Sequence, residues 1–90
     1  LLPGGKKINY KFRYWAYPQT ALDKLPNSRV THTYPDGSVD IEGADLGAQG
    51  ALLWVLSQGK NLKVIRPQSL VDLVKANLKA TLAFYEDDAE

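Results

Sequence analysis

Lys11, Arg13 and Trp15 stand two residues apart near the start of this 90-residue chain, and Arg29 and Lys63 add further positive charge downstream. In an extended segment, that spacing puts all three side chains of the first group on one face. Basic groups around one stacking ring are the chemistry that holds a phosphate-bearing small ligand or a single-stranded nucleic acid. A second reading needs no ligand. Asp40 and Glu42 are also two apart, and on a neighbouring strand they would pair with Lys11 and Arg13 across the sheet. Both readings stay open on the residues alone.

Other chemistries are thinly supplied. The chain has no Cys and one His, His32, which excludes disulfides, thiol nucleophiles, zinc ribbons and histidine-rich metal sites within one chain. Gly43, Gly47 and Gly50 do not make the phosphate-cradling G-x-G-x-x-G pattern, and no Lys-Ser/Thr follows them. Asp36, Asp40, Glu42 and Asp45 lack the order of a calcium loop. Nothing beside Asp40 and Glu42 would separate their pKa values for acid–base work. His32 reads as a structural histidine on the apolar side of its strand. Ser57 and Ser69 read as helix-end residues. No nucleophile–base pair emerges, so the expectation is a non-enzyme that needs no cofactor.

The elements that would position these residues follow from periodicity. Residues 8–16 alternate, with Ile8, Tyr10, Phe12 and Tyr14 on one face and Asn9, Lys11, Arg13 and Trp15 on the other, which predicts a strand. Pro18 opens a short helix with Ala21, Leu22 and Leu25 on its apolar side. Residues 28–34 alternate again, with Val30, His32 and Tyr34 opposite Arg29, Thr31 and Thr33. Pro35-Asp36-Gly37-Ser38 predicts a hairpin turn into a third strand carrying Val39 and Ile41 inward. A helix is expected over 46–58 with a Leu52, Leu53, Leu56 stripe and Gly59 as its stop. A fourth strand over 61–65 ends at Pro67. Ser69 and Asp72 suggest a capping box for a last helix over about 69–85.

The order β-α-β-β-α-β predicts an α+β fold. It is a ferredoxin-like split βαββαβ sandwich with a four-stranded antiparallel sheet, two helices on one face and the other face open. The last helix is extra. Residues 1–6 read as a linker, 7–85 as a single domain and 86–90 as an acidic tail. No apolar run approaches the roughly 20 residues of a membrane span, and no signal peptide opens the chain. The absence of Met suggests a piece of a longer protein.

Two apolar features lack a place in that scheme. Trp54 lies about 140° from the centre of the Leu52, Leu53, Leu56 stripe on a helical wheel, so either the last helix covers it or a partner does. On the last helix, Leu70, Val71, Val74, Leu78, Leu82 and Tyr85 share an arc of about 120°, and Leu73, Ala80 and Phe84 lie about 100° away from it. A helix apolar on two faces has two neighbours; the second would be the domain's own second helix or another subunit. Trp54, Leu73 and Phe84 are therefore candidate interface residues.

The run Leu52-Leu53-Trp54-Val55-Leu56-Ser57-Gln58-Gly59, followed by Leu62-Lys63-Val64-Ile65-Arg66-Pro67-Gln68-Ser69-Leu70, resembles the C-terminal extension of WYL-domain transcriptional regulators, called WCX. That extension has a Trp-Leu-Leu-Ser-x-Gly helix end, a Val-x-Val-Leu strand and a Pro-x-Ser-Leu start to its last helix. Asp36-Gly37-Ser38 matches its hairpin turn, and residues 8–85 fit its layout. The resemblance implies a bacterial, cytoplasmic regulator with a separate DNA-binding domain, a WYL β-barrel, effector or single-stranded nucleic-acid sensing, and a homodimer. It implies that this segment docks on a WYL domain of its own or a paired chain. Tyr14-Trp15-Ala16 is not the barrel's Trp-Tyr-Leu motif, so DNA recognition would lie outside these residues.

Overall fold

A computed structural model describes residues 6–87. Its elements run β1 (Lys7–Tyr14), α1 (Pro18–Lys24), β2 (Arg29–Thr33), β3 (Val39–Gly47), α2 (Ala48–Ser57), a 3-10 turn (Gly59–Asn61), β4 (Leu62–Arg66) and α3 (Gln68–Asp87). The strands form one antiparallel sheet in the order β2-β3-β1-β4. This is the split α+β arrangement with an added C-terminal helix. The expected linker and acidic tail lie outside the described residues, except for Lys6, Glu86 and Asp87, and α3 runs on through the last two.

The alternation in β1 works as its pattern predicts. Tyr10, Phe12 and Tyr14 are buried under the helices with Val39, Ile41 and Val64, against Ala21, Leu25, Ala51, Leu52, Val55 and Leu70. Tyr10 stacks on Phe12 with ring centroids 4.6 Å apart. Its ring also lies over Gly43, its cross-strand partner. A Cβ at Gly43 would overlap the Tyr10 hydroxyl and ring, so only glycine fits under the ring. Just beyond, β3 holds one residue more than β1 between the pairs Tyr10–Gly43 and Ile8–Leu46. Asp45 takes φ 60° there, a left-handed conformation that Asp tolerates at a bulge. This bulge keeps β3 paired with β1 as far as Gly47, so α2 starts at Ala48 rather than at the expected residue 46.

The β2–β3 hairpin turns at Gly37, whose φ is 88°. Gly37 N–H donates to Tyr34 O at 2.9 Å and Tyr34 N–H to Ser38 O at 2.8 Å. Asp36 closes the turn by accepting from Ser38 N–H at 2.9 Å. Such a turn demands a residue free to take positive φ, which Asp-Gly supplies.

Two helix expectations change. The buried side of α2 is centred on Ala51 and Val55 with Leu52, while Leu53 is 63% exposed. The small Ala51 lets the helix backbone approach the sheet and sets the face. Trp54 then falls on the flank of that face rather than its far side. Its ring packs half-buried over Phe12 and Tyr14, with centroids 6.2 and 6.1 Å away. Tyr14 also donates its hydroxyl to Gln58 Oε1 at 2.9 Å, tying the end of α2 to the sheet. In α3, the first turn forms two residues earlier than a Ser69 cap would give, with Pro67 at the cap position. Pro67 O accepts from Leu70 and Val71 N–H, both at 3.1 Å, and Gln68 Nε2 donates to Asp72 Oδ1 at 2.9 Å.

α3 packs its first half on β4 and α2. Leu70 is buried and Val71 and Val74 are half-buried, but Leu78, Leu82, Phe84 and Tyr85 are exposed. The helix is 20 residues long, about 30 Å, and residues 77–86 of its second half are exposed.

Candidate functional site

The helix-free face of the sheet brings the charged residues together. Cross-strand register sets Lys11 opposite Glu42 and Arg13 opposite Asp40 on β3, and Arg29 of β2 opposite Glu42. On the other side, β4 sets Lys63 opposite Arg13 and Arg66 opposite Lys11. Trp15, just past β1, is 43% exposed and donates its indole N–H to Asp36 Oδ2 at 3.2 Å. Four of the five predicted ligand-facing residues, Lys11, Arg13, Trp15 and Arg29, thus belong to one surface, and Lys63 stands at its β4 edge, opposite Arg13 in register and also beside the groove under α3.

Arg13 is the centre of that surface. Its Nε donates to Ser38 Oγ at 3.1 Å and one terminal nitrogen reaches Asp36 Oδ2 at 3.4 Å. The guanidinium carbon lies 3.7 Å from the Tyr34 ring centroid and 4.8 Å from that of Trp15. A planar cation near two aromatic rings gains from both quadrupoles. Tyr34 in turn donates its hydroxyl to Asp40 Oδ2 at 2.9 Å. Asp40 is only 3% exposed; its other oxygen has no hydrogen-bond partner among the described residues. Lys11 Nζ stands 3.8 Å from Asp40 and 3.9 Å from Glu42, and Arg66 meets Glu42 at 2.7 Å. Lys11 is therefore paired with both Asp40 and Glu42, while Arg13, set opposite Asp40 in register, turns its charge to Asp36 of the turn as a third carboxylate.

Proton affinities follow the geometry. The Ser38 hydroxyl and amide, then Trp15 and Arg13, hold the Asp36 carboxyl below its ordinary value. Hydrogen bonding from the Thr31 side chain, and then the Arg66 guanidinium and Lys11 ammonium, does the same for Glu42. The Tyr34 phenol is pushed up, chiefly because its proton is held by Asp40.

His32 and Tyr34 differ from expectation. One extra residue at Thr31 separates the pairs Val30–Ile41 and His32–Asp40. That slip turns His32 and Tyr34 onto the open face, because side chains alternate with period two. His32 is exposed and its ring meets the Tyr34 ring edge-on at 4.5 Å. Tyr34, Asp36, Ser38 and Arg66 are thus parts of the site that alternation alone did not select. Asp36 had a visible signal in its turn motif; the bulge that recruits Tyr34 had none. Among the described residues, no three His, Asp or Glu side chains are placed to hold a metal.

The predicted interface residues separate. Trp54 lies over the core rings, whereas Leu73 and Phe84, 70% exposed, stand free on α3. Between α3 and the outer edge of β4 runs an apolar groove of about 290 Å³, lined by Leu62, Val64, Val71, Val74 and Leu78 with Lys63 and Lys75 on its rim. No described helix is long and apolar enough to cross a membrane.

Against known proteins, no curated sequence matches this chain. The WCX domain family does, over residues 10–82. The match spans β1 to the exposed half of α3, so it takes in the ion-paired face, the Asp-Gly hairpin and the groove alike. The chain belongs to the WCX family, the C-terminal region of WYL-domain regulators.

Proposed function

We propose that this chain is the non-catalytic C-terminal regulatory module of a bacterial, cytoplasmic transcriptional regulator. It docks on a WYL domain of its own or a paired chain, contributes to the homodimer, and helps relay effector binding to a separate DNA-binding domain. The observation that carries this reading is α3, which leaves Leu73, Leu78, Leu82, Phe84 and Tyr85 exposed along its length. Apolar side chains gathered in this way mark a surface made for another protein surface. Relay of an effector signal requires docking contacts that differ between two states of the regulator.

Leu73 and Phe84 lie on the flank of α3 away from the groove, and we assign that flank to the WYL domain. The test is calorimetric titration of the chain with the WYL domain of its regulator. Leu73→Glu with Phe84→Glu alters only exposed positions and should weaken binding at least tenfold while leaving the melting curve in place. Wild-type affinity in that variant, or no binding by the unaltered chain, overturns the assignment.

A second reading, a small phosphate-bearing ligand or single-stranded nucleic acid on the open face, draws on Trp15 being partly exposed and on Arg29 and Lys63 having no ion pair among the described residues. The commitment of Lys11 and Arg13 to carboxylates favours docking over this reading. A ligand would have to displace those partners to reach the two central cations.

A further inference from the structure

We infer that the groove between α3 and β4 is filled by the exposed half of α3 from a second copy of this chain, in an antiparallel two-fold pair centred on Leu78. The inference rests on the dimer reading above and names the surface that makes the dimer.

Three observations carry it. First, the groove and the exposed stripe lie on the same helix and meet at Leu78. Val71 and Val74 line the groove before it; Leu82 and Tyr85 stand bare after it. Second, the spacing is palindromic. Val71, Val74, Leu78, Leu82 and Tyr85 follow one another at intervals of three, four, four and three. Reversing the helix about Leu78 therefore sets Leu82 of one copy against Val74 of the other, and Tyr85 against Val71. With a rise of about 1.5 Å per residue, both halves of the stripe reach about 10 Å from the two-fold axis. Each copy would thus fill the other's groove with the side chains that it leaves exposed, which is the self-complementarity a two-fold interface requires. Third, the charges agree. The groove is rimmed by Lys63 and Lys75, and the stripe ends at Glu86. Antiparallel pairing carries that carboxylate toward the first turn of the partner's α3, where unpaired amide groups make the helix end positive.

The flank bearing Leu73 and Phe84 stays outside this pair, so one helix serves two partners, which its two apolar faces demand.

The test is the mass of the chain in solution by sedimentation equilibrium, with two sets of variants. Leu78→Glu puts two carboxylates at the two-fold axis and should weaken the dimer at least a hundredfold with its helical circular dichroism intact. Leu53→Glu, at an exposed position on α2, should leave the dimer unchanged. The chain has no cysteine, so a disulfide formed by Leu78→Cys can only join two copies. Under mild oxidation it should cross-link nearly completely, while Leu73→Cys should not. A monomer at all concentrations, a dimer that survives Leu78→Glu, or cross-linking through position 73 in place of 78 overturns the inference. A monomer that still binds the WYL domain sinks this pairing and leaves the docking reading standing; a position-78 dimer that binds no WYL domain does the reverse.

Discussion

Replacing Asp40 by Asn and Glu42 by Gln together should turn the open face from a paired surface into a phosphate-binding one. Five cations, Lys11, Arg13, Arg29, Lys63 and Arg66, share that face with three carboxylates, Asp36, Asp40 and Glu42. Lys11 loses both partners in the double variant, at 3.8 and 3.9 Å, and Arg66 loses its partner at 2.7 Å. The fold should survive. The amide that replaces the buried Asp40 carboxylate keeps an oxygen for the Tyr34 hydroxyl and no longer buries a charge, which offsets the lost Lys11 contact at 3.8 Å, and the two Glu42 pairs, nearer the surface, contribute about 0.2–1 kcal/mol each. Changing the Tyr34 bond from a charged to a neutral acceptor costs about 1 kcal/mol more. A total near 2 kcal/mol lowers the melting temperature by about 8–16 °C for a chain of this size. Two cations newly free for phosphates steepen the salt dependence of single-stranded DNA binding, by about 0.7 in log–log slope for each. The assay is fluorescence anisotropy of a labelled oligothymidine between about 50 and 200 mM salt. The unaltered chain should bind weakly with a shallow slope, and the variant more tightly with a slope steeper by about 1.4. Tight, steeply salt-dependent binding by the unaltered chain, lost in Arg13→Glu, would show that the ion pairs do not occupy the face.

The remaining predictions concern the fold that holds the surfaces. Gly43→Ala drives a Cβ into the buried Tyr10 ring, which cannot swing aside because Phe12 stacks against it; overpacking of this kind costs about 1–3 kcal/mol, and an unshifted urea midpoint would contradict it. Trp54→Ala removes a half-buried ring from Phe12 and Tyr14 and should cost about 2 kcal/mol, somewhat less than a fully buried aromatic, read as a drop in melting temperature. Asp36 and Glu42 are lowered in the folded chain, so their contribution is present above the ordinary carboxylate pKa and fades as pH falls through their folded values. Tyr34 is raised, so its contribution is full below pH about 10 and fades as pH rises through its folded value. Urea midpoints measured across pH should fall at both ends, and Tyr34→Phe should reduce the alkaline fall while leaving the acid one in place.

The strands and the hairpin were legible because their signals are local. β1 alternates without interruption, and Asp36-Gly37 announces the positive φ that its turn uses. The placing of Lys11 and Arg13 beside Glu42 and Asp40 followed from strand order, since β1 sits between β3 and β4. What escaped was decided by tertiary fit. A one-residue slip at Thr31 turned His32 and Tyr34 to the open face, and no residue type there signals a bulge. The face of α2 was misjudged because three leucines outweighed Ala51 in the pattern, while close approach to the sheet favours the small side chain. What the end of α3 packs against stayed open in the sequence, because periodicity reports an apolar face but not which molecule covers it.

Docking of α3 on the WYL domain is tested by amide hydrogen exchange of this chain with and without the WYL domain of its regulator. Exchange should slow along α3 from Leu73 to Phe84 when the WYL domain is present, with little change on β1 and β3. Slowed exchange confined to the open sheet face, or none anywhere, would contradict that docking.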